Sequence, residues 1–191
     1  MIGRDLTNAT IGIVGLGRIG EAVARRASGF GMKIVYHSRG RLPDAEKVFG
    51  ASYVTLNDLL RISDVVTLHA PLTAETKGMI GLAQFSLMKK SAIFVNASRG
   101  GLVVQKDLEE ALQKGMIFGA ALDVYEKEPL PQDSPLLKME NVVLVPHIGS
   151  ATVGARSGMA ELSARNLIDA LDGRVPKALV NPSVLSQRKA P

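Results

Sequence analysis

Two residues of the chain have side chains suited to proton transfer and anion binding, and each stands just after a run of apolar residues. His147 stands in the segment Val145–Thr152. An imidazole titrates near neutral pH, so it suits a general acid or base. Arg99 follows another apolar run and offers a planar, two-pronged donor that suits a carboxylate. We therefore expect an acid–base residue and an anion-binding residue. A structural histidine is the competing interpretation of His147, and a structural salt bridge is that of Arg99.

A carboxylate able to orient the imidazole is expected in the segment Asp123–Pro129, which follows a further apolar run. A carboxylate beside an imidazole stabilises the protonated ring. Spacing alone does not separate Glu126 from Glu128 in this role. A solvent-exposed loop acid is the alternative interpretation of each.

The segment Gly15-Leu16-Gly17-Arg18-Ile19-Gly20 follows the first apolar run and precedes a helical pattern. In this context the first glycine permits a tight turn, the second lets a pyrophosphate approach the backbone, and the third allows close helix–strand packing. The start of the helix then favours phosphate groups. The pattern predicts a dinucleotide site, with a ligand-free turn as the alternative. Asp123, which closes its own apolar run, is expected near the nicotinamide end.

The second apolar run ends in Val35–Arg41 and shows no acid until Asp44. A site for NAD usually places Asp or Glu there to bond the ribose 2′-hydroxyl. Arg39 and Arg41 instead suit a 2′-phosphate, with Ser38 adding a hydroxyl. These residues predict NADP(H) as the preferred cofactor and NAD(H) as the alternative. Two ordinary solvated arginines are the competing interpretation.

Apolar runs of strand length alternate with helical patterns along the whole chain. The predicted strands are Thr10–Val14, Met32–Tyr36, Asp64–Leu68, Ala92–Val95, Ile117–Leu122 and Val142–Val145. The predicted helices are Gly17–Phe30, a short one opened by Thr55, Gln105–Lys114 and Thr152–Leu171. The alternation predicts an α/β fold with a Rossmann-type doubly wound parallel sheet, as a single domain over residues 1–180 with a loose tail over 181–191. Ligands of such sheets bind at the carboxyl ends of the strands.

The composition of the 191 residues, 46% apolar and 21% charged, is typical of a globular chain. The absence of cysteine excludes a disulfide scaffold, a thiolate metal site and a cysteine nucleophile, and it suits a cytoplasmic location. The net charge of +5 is scattered, and three Tyr and five Phe are few for nucleic-acid stacking. The longest apolar stretch, Met116–Leu122, is too short to span a bilayer. We expect no metal, nucleic-acid or membrane site.

Several segments together resemble one known family. They are Gly15–Gly20, Leu68–Thr76, Asn96–Gly101, Ala120–Pro129 and Pro146–Thr152. They are similar to the nucleotide-binding domain of the D-isomer-specific 2-hydroxyacid dehydrogenases. The arginine-bearing loop and the last segment resemble glyoxylate/hydroxypyruvate reductases and 2-ketogluconate reductases most.

The resemblance implies a role for each candidate residue. Arg99 would bind the substrate, His147 would be the acid/base, and Glu128 rather than Glu126 would tune the histidine. The implied reaction is NADPH-dependent reduction of a small 2-oxo acid, of the glyoxylate or hydroxypyruvate class, to the D-2-hydroxy acid. From the loop patterns and the resemblance together, the expected cofactor-binding residues are Gly15, Gly17, Arg18, Ile19, Ser38, Arg39, Arg41, Pro71, Thr76, Ala97, Asp123 and Gly149.

The family builds its substrate-binding domain largely from sequence that precedes the segment seen here as Gly3–Leu6. We therefore expect this chain to hold the cofactor domain, to lack most of the substrate domain, and to bind NADPH with little turnover. The alternative function is a dinucleotide-sensing module without turnover, like the family's corepressors, and the arginine loop weighs against it. The resemblance also implies a homodimer. Apolar segments at Glu128–Leu137 and Met79–Met88 support the dimer, with local core as their alternative interpretation.

Overall fold

The computed structural model describes residues 5–187 and shows an α/β fold. Gly3, Arg4 and the last four residues of the predicted tail lie outside the described residues. The chain forms two compact units, the first ending at His147 and the second beginning at Ile148. The predicted domain boundary at residue 180 stays a prediction.

The first unit contains all seven strands, and the second contains one long helix. The strands are β1 (Thr10–Val14), β2 (Lys33–His37), β3 (Ser52–Tyr53), β4 (Val65–Leu68), β5 (Ile93–Asn96), β6 (Gly119–Leu122) and β7 (Val142–Leu144). The helices are α1 (Arg18–Gly29), α2 (Pro43–Phe49), α3 (Leu56–Ile62), α4 (Leu82–Phe85), α5 (Gln105–Gln113) and α6 (Val153–Leu171). Short 3₁₀ turns cover Gly100–Leu102, Pro135–Lys138 and Pro182–Gln187.

The sheet has the strand order β3-β2-β1-β4-β5-β6-β7, and every neighbouring pair is parallel. The chain moves outward from β1 in one direction through β2 and β3, then returns to place β4 on the other side of β1. This reversal is the topological switch point at which doubly wound sheets bind ligands. The predicted fold class is confirmed.

The register of the sheet aligns the carboxyl ends of its strands. Val14 pairs with both His37 and Leu68, Leu68 pairs with Asn96, and Asn96 pairs with Leu122. The loops after β1, β2, β4, β5 and β6 therefore leave the sheet at the same level. Residues separated by more than a hundred positions in the chain reach one edge in this way.

Two apolar clusters cover the two faces of the sheet. Ile11 and Ile13 of β1 pack in one cluster with Ala24 of α1, whereas Val14 packs in the other with Phe94. Successive side chains of a strand point to opposite faces, so each buried strand contributes to both clusters. The rings of Phe85 and Phe94 meet edge to face with centroids 5.2 Å apart. The sheet is thus held from both sides, as its continuously apolar strands require.

The sequence interpretation missed β3, α2 and α4, each of which is too short to show a periodic pattern. A signal for α2 was present in Pro43 and Gly50. Proline is favoured at the first position of a helix and glycine just past its end, and Gly50 has a φ of 62°. The cap predicted for α3 is confirmed, because Thr55 Oγ1 accepts a hydrogen bond of 3.1 Å from Asp58 N.

The two segments offered as a dimer surface differ in burial. Ile80 and Phe85 are fully buried and Met88 nearly so, which places the Met79–Met88 segment in the core. Leu137, in the other segment, is 52% exposed. Only the second segment therefore still supports the homodimer, which stays a prediction.

The core packing predicts how two equal truncations should differ in effect. Phe94→Ala should lower the free energy of unfolding by about 3–5 kcal/mol, because it opens a cavity beside Phe85. Phe30→Ala removes the same atoms from a side chain that is 59% exposed, and should change stability by about 0.5 kcal/mol or less. Denaturant unfolding of both variants measures the difference. Equal losses would show that this cluster does not hold the sheet.

Candidate functional site

The glycine loop after β1 is shaped by close backbone contacts. Gly15 has a φ of 95°, and a Cβ there would lie 2.6 Å from Ala70 N, in the loop after β4. A Cβ on Gly20 would lie 2.3 Å from Gly15 O. Both positions therefore exclude any side chain, the first for the turn and the second for seating α1 on the loop.

Gly17 is different, because a Cβ there would meet no described atom within 4 Å. It stands at the N-cap of α1, where no side chain of the described residues caps the helix. The next residues, Arg18 and Ile19, are exposed, Ile19 by 68%. The start of α1 thus offers backbone N–H groups to an open space, and a pyrophosphate fits such a cradle. These residues are suited to hold a dinucleotide.

The two arginines of the loop after β2 differ in their interaction partners. Arg41 forms a two-pronged ion pair with Glu46 of α2, with Nε 2.8 Å from Oε1 and Nη2 2.8 Å from Oε2. Arg39 has no hydrogen-bond or ion-pair partner among the described residues, and its charge helps to lower the pKa of Glu75. Ser38 Oγ donates within the loop to Gly40 O. Arg39 is therefore the free cation of this loop.

His37, which ends β2, has a structural environment. Its Nδ1 lies 3.0 Å from Val54 O, and its ring stacks on Tyr53 with centroids 6.0 Å apart. These contacts attach β2 to the edge strand β3. These contacts within the protein are enough to account for the position of the His37 ring, so it need not contact a ligand.

The loop after β4 is held by its own threonines. Thr76 Oγ1 donates to Pro71 O at 2.6 Å and accepts a 2.8 Å hydrogen bond from Thr73 N. Thr76 therefore shapes the loop that presents Pro71. Glu75 lies beside it, with a pKa lowered first by the Thr73 hydroxyl, then by its own backbone N–H and then by Arg39.

Arg99 is positioned by a polar network that the sequence interpretation missed. Asn96, which ends β5, is buried; its Nδ2 donates to Arg99 O at 3.0 Å and its Oδ1 accepts from Ser98 N at 3.1 Å. Ser98 Oγ donates to Ala70 O at 2.8 Å, which ties this loop to the one after β4. The available signal was an asparagine that directly follows an apolar strand. The network fixes the backbone of Arg99 while its side chain stays exposed.

Gly100 brings the arginine loop against the carboxylate loop. A Cβ on Gly100 would overlap the Tyr125 carbonyl, at 1.8 Å from its oxygen. The backbone can pass here only without a side chain. As a result, Arg99 lies near enough to Glu128 for its charge to help lower the pKa of that carboxyl.

Glu128 and His147 form the central pair of the site. Glu128 Oε2 lies 2.7 Å from His147 Nδ1, and Oε1 accepts a 3.1 Å hydrogen bond from Tyr125 N. The hydrogen bond with His147 is the main cause of the lowered pKa of Glu128, against a smaller opposing effect of burial. Glu126 is exposed as Glu128 is, but its carboxylate has no hydrogen-bond or ion-pair partner among the described residues, and its N–H donates to Gln105 Oε1. The geometry therefore places Glu128, and not Glu126, in contact with His147.

Tyr125 links the two chain segments that carry Glu128 and His147. Its hydroxyl lies 3.2 Å from Leu122 O and 2.9 Å from Val145 O, so it bridges the ends of β6 and β7. His147 follows with a left-handed φ of 53° and donates its N–H to Val145 O. The imidazole thus approaches Glu128 from a tightly turned backbone. The sequence interpretation had not singled out Tyr125.

The remaining predicted residues differ in location. Asp123 is buried, and its N–H donates to Asn96 O at 2.9 Å, between the arginine and carboxylate loops. Ala97 is exposed at the start of the arginine loop. Gly149 belongs to the second unit.

A cavity of about 540 Å³ opens beside the Glu128–His147 pair. Its other lining residues are largely apolar and come from the segment after Glu128 and from the end of β7: Tyr125, Pro129, Leu130, Leu137, Leu144, Val145 and Pro146. Within residues 5–187, no group of three or more His, Asp or Glu side chains is arranged to hold a metal ion. No helix in that range is long and apolar enough to cross a membrane.

Comparison with known proteins identifies relatives over nearly the whole chain. Residues 1–149 match the model of the D-isomer specific 2-hydroxyacid dehydrogenase, NAD binding domain. A glyoxylate reductase of Thermococcus kodakarensis is 58% identical over 98% of this chain and 56% of its own length. A glyoxylate/hydroxypyruvate reductase B of Escherichia coli is 55% identical over 95% of this chain and 56% of its own length.

Solved structures agree with these matches. The crystal structure of a glyoxylate reductase from Paecilomyes thermophila superposes with a TM-score of 0.84 at 41% identity, over 92% of this chain and 53% of that one. The TT0316 protein of Thermus thermophilus reaches a TM-score of 0.89 at 46% identity, over 94% of this chain and 56% of that one. The chain thus spans little more than half the length of these relatives. It belongs to the D-isomer-specific 2-hydroxyacid dehydrogenase family, whose NAD-binding domain it matches.

Proposed function

We propose that this chain is the cofactor domain of a reductase that converts a small 2-oxo acid of the glyoxylate or hydroxypyruvate class to the D-2-hydroxy acid, with NADP(H) preferred. The observation that carries the proposal is the 2.7 Å contact between Glu128 and His147 at the sheet edge that also presents Arg99 and the glycine loop. The names of the curated relatives support the substrate class. The same names do not favour a sensing module without turnover.

When bound, NADPH supplies the hydride that reduces the carbonyl carbon. His147 uses Nδ1 to contact Glu128, which leaves Nε2 to protonate the carbonyl oxygen. The Glu128 carboxylate holds Nδ1 and so orients the ring. Arg99 binds the substrate carboxylate through its planar donor and offsets the negative charge that develops on the carbonyl oxygen.

Four features support the phosphate-binding part of the proposal. The open space at Gly17 and the uncapped start of α1 suit the pyrophosphate. Arg39 is free to bind a 2′-phosphate, and no acid stands at the end of β2. Arg18, Ile19, Pro71, Ala97 and Asp123 complete the proposed cofactor site within the first unit.

We expect Glu128→Gln to lower kcat for glyoxylate by about 100-fold, because the imidazole loses the carboxylate that orients it for proton transfer. The measurement is NADPH oxidation by the protein that joins this domain to a substrate-binding domain. Glu126→Gln is the matched control, because it makes the same charge change two residues earlier in the same loop, and it should change kcat by about twofold or less. Equal losses in the two variants would remove Glu128 from the proposed mechanism.

The contact with His147 also predicts how Glu128 titrates. Its pKa is lowered chiefly by that hydrogen bond, so the carboxyl should titrate below the ordinary glutamate value of about 4.3. A lowered folded-state pKa contributes stability above the unfolded pKa, and this contribution is lost as pH falls through the folded value. In His147→Ala the pKa should rise toward the ordinary value. NMR titration of the carboxyl carbon measures it, and an unchanged midpoint in the variant would contradict the pairing.

Arg39→Asp should reverse or flatten the preference for NADPH over NADH. Each charge-assisted hydrogen bond to the 2′-phosphate is worth about 1.5–3 kcal/mol, so the affinity ratio should fall by about tenfold or more. Calorimetry with both cofactors measures the ratio. Arg61→Asp, in the last turn of α3 and so near the amino ends of the strands, makes the same charge change and should leave the ratio unaltered. Equal affinities in the unmutated chain would refute the NADP(H) assignment.

A further inference from the structure

Glu46 of α2 contacts Arg41, one of the two arginines predicted to bind the 2′-phosphate, although the sequence analysis did not single it out. Its carboxylate accepts hydrogen bonds from the Nε edge of the Arg41 guanidinium. Nε lies 2.8 Å from Oε1 and 3.1 Å from Oε2, and Nη2 lies 2.8 Å from Oε2. It also accepts a 2.8 Å hydrogen bond from the hydroxyl of Tyr36. The Tyr36 hydroxyl in turn accepts from Leu42 N at 2.7 Å. The carboxylate therefore has defined partners on both sides.

The two side chains of this ion pair differ in their exposure to water. The Glu46 side chain is 14% exposed, whereas Arg41 is 70% exposed. Tyr36 is fully buried, so one side of the carboxylate faces the protein interior rather than water. The pKa of Glu46 is lowered, first by the hydrogen bond with Arg41 and then by that with Tyr36. Glu46 thus stays ionised and cancels the charge of Arg41 at neutral pH.

A 2′-phosphate carries between one and two negative charges near neutral pH and is attracted by net positive charge. Arg41 and Glu46 together present no net charge to it, and the Nε edge of the guanidinium is already occupied. Arg39 has no such partner among the residues described. We propose that Glu46 is a specificity-determining residue that withholds Arg41 from the 2′-phosphate, so that the discrimination between NADPH and NADH rests on Arg39 and is smaller than two free arginines would give. This inference rests on the proposed use of NADP(H).

The test uses calorimetry of NADPH and NADH on the whole chain. Glu46→Gln keeps the shape of the side chain and an acceptor for Tyr36, but releases the charge of Arg41. We expect it to tighten NADPH binding by about tenfold and to change NADH binding by about twofold or less. Glu110→Gln is the matched control, because it breaks the Glu110–Lys114 pair on α5 with the same charge change. It should leave the ratio of the two affinities unaltered.

The double variant Arg41→Gln/Glu46→Gln removes the pair without changing net charge. Its NADPH-to-NADH affinity ratio should equal that of the unmutated chain within about twofold, because a neutral pair contributes little to binding a dianion. A marked fall in this ratio would show that Arg41 already binds the phosphate, and would overturn the proposal. So would a Glu46→Gln variant that binds NADPH no better than the unmutated chain. Thermal melting of each variant establishes that it is folded.

The Arg39→Asp variant separates this proposal from the one on which it rests. If that substitution leaves the affinity ratio unchanged, the 2′-phosphate does not bind at this loop and the NADP(H) assignment fails. If it lowers the ratio while Glu46→Gln does not raise it, the assignment stands and only the role of Glu46 is refuted.

Discussion

The parallel hydrogen bonding of the sheet is the constraint on which the site depends. Its register pairs Leu68 with Asn96 and Asn96 with Leu122, so the loops after β4, β5 and β6 leave at one level. A slip of one residue in β5 would turn every side chain of that strand to the other face. Asn96 would then no longer hold the backbone of Arg99, and the arginine would lose its place at the edge. Backbone pairing thus sets the positions from which the polar side chains act.

Close packing between the loops at this edge of the sheet brings the polar side chains of the site near one another. Gly100 lies against the Tyr125 carbonyl, and Gly15 lies against the backbone of Ala70. Each contact excludes a Cβ, and therefore brings two loops nearer than ordinary side chains would allow. The hydroxyl of Tyr125 then joins the ends of β6 and β7. Tyr125 thus links the two segments that carry Glu128 and His147.

Charge is arranged differently at the two ends of the proposed cofactor site. At one end Arg41 is paired with Glu46, while Arg39 has no hydrogen-bond or ion-pair partner among the described residues. At the other end Glu128 pairs with His147, and both side chains are partly exposed, by 36% and 52%. Water screens such a pair, whereas an enclosed, drier site would strengthen it. This is the physical reason to propose turnover for the protein in which a substrate-binding domain accompanies this chain.

The sequence by itself determined the alternation of strands and helices, the glycine loop and the set of segments that end at the binding edge. Each of these depends on local patterns: apolar runs, capping residues and glycines between strand and helix. The tertiary structure placed Glu128 rather than Glu126 against His147, paired Arg41 with Glu46, and brought Asn96 and Tyr125 into the hydrogen bonds that hold these loops. Spacing could not decide these, because neighbouring loop residues differ in the direction of their side chains. That direction is set by backbone turns and by contacts with distant strands, which no local pattern encodes.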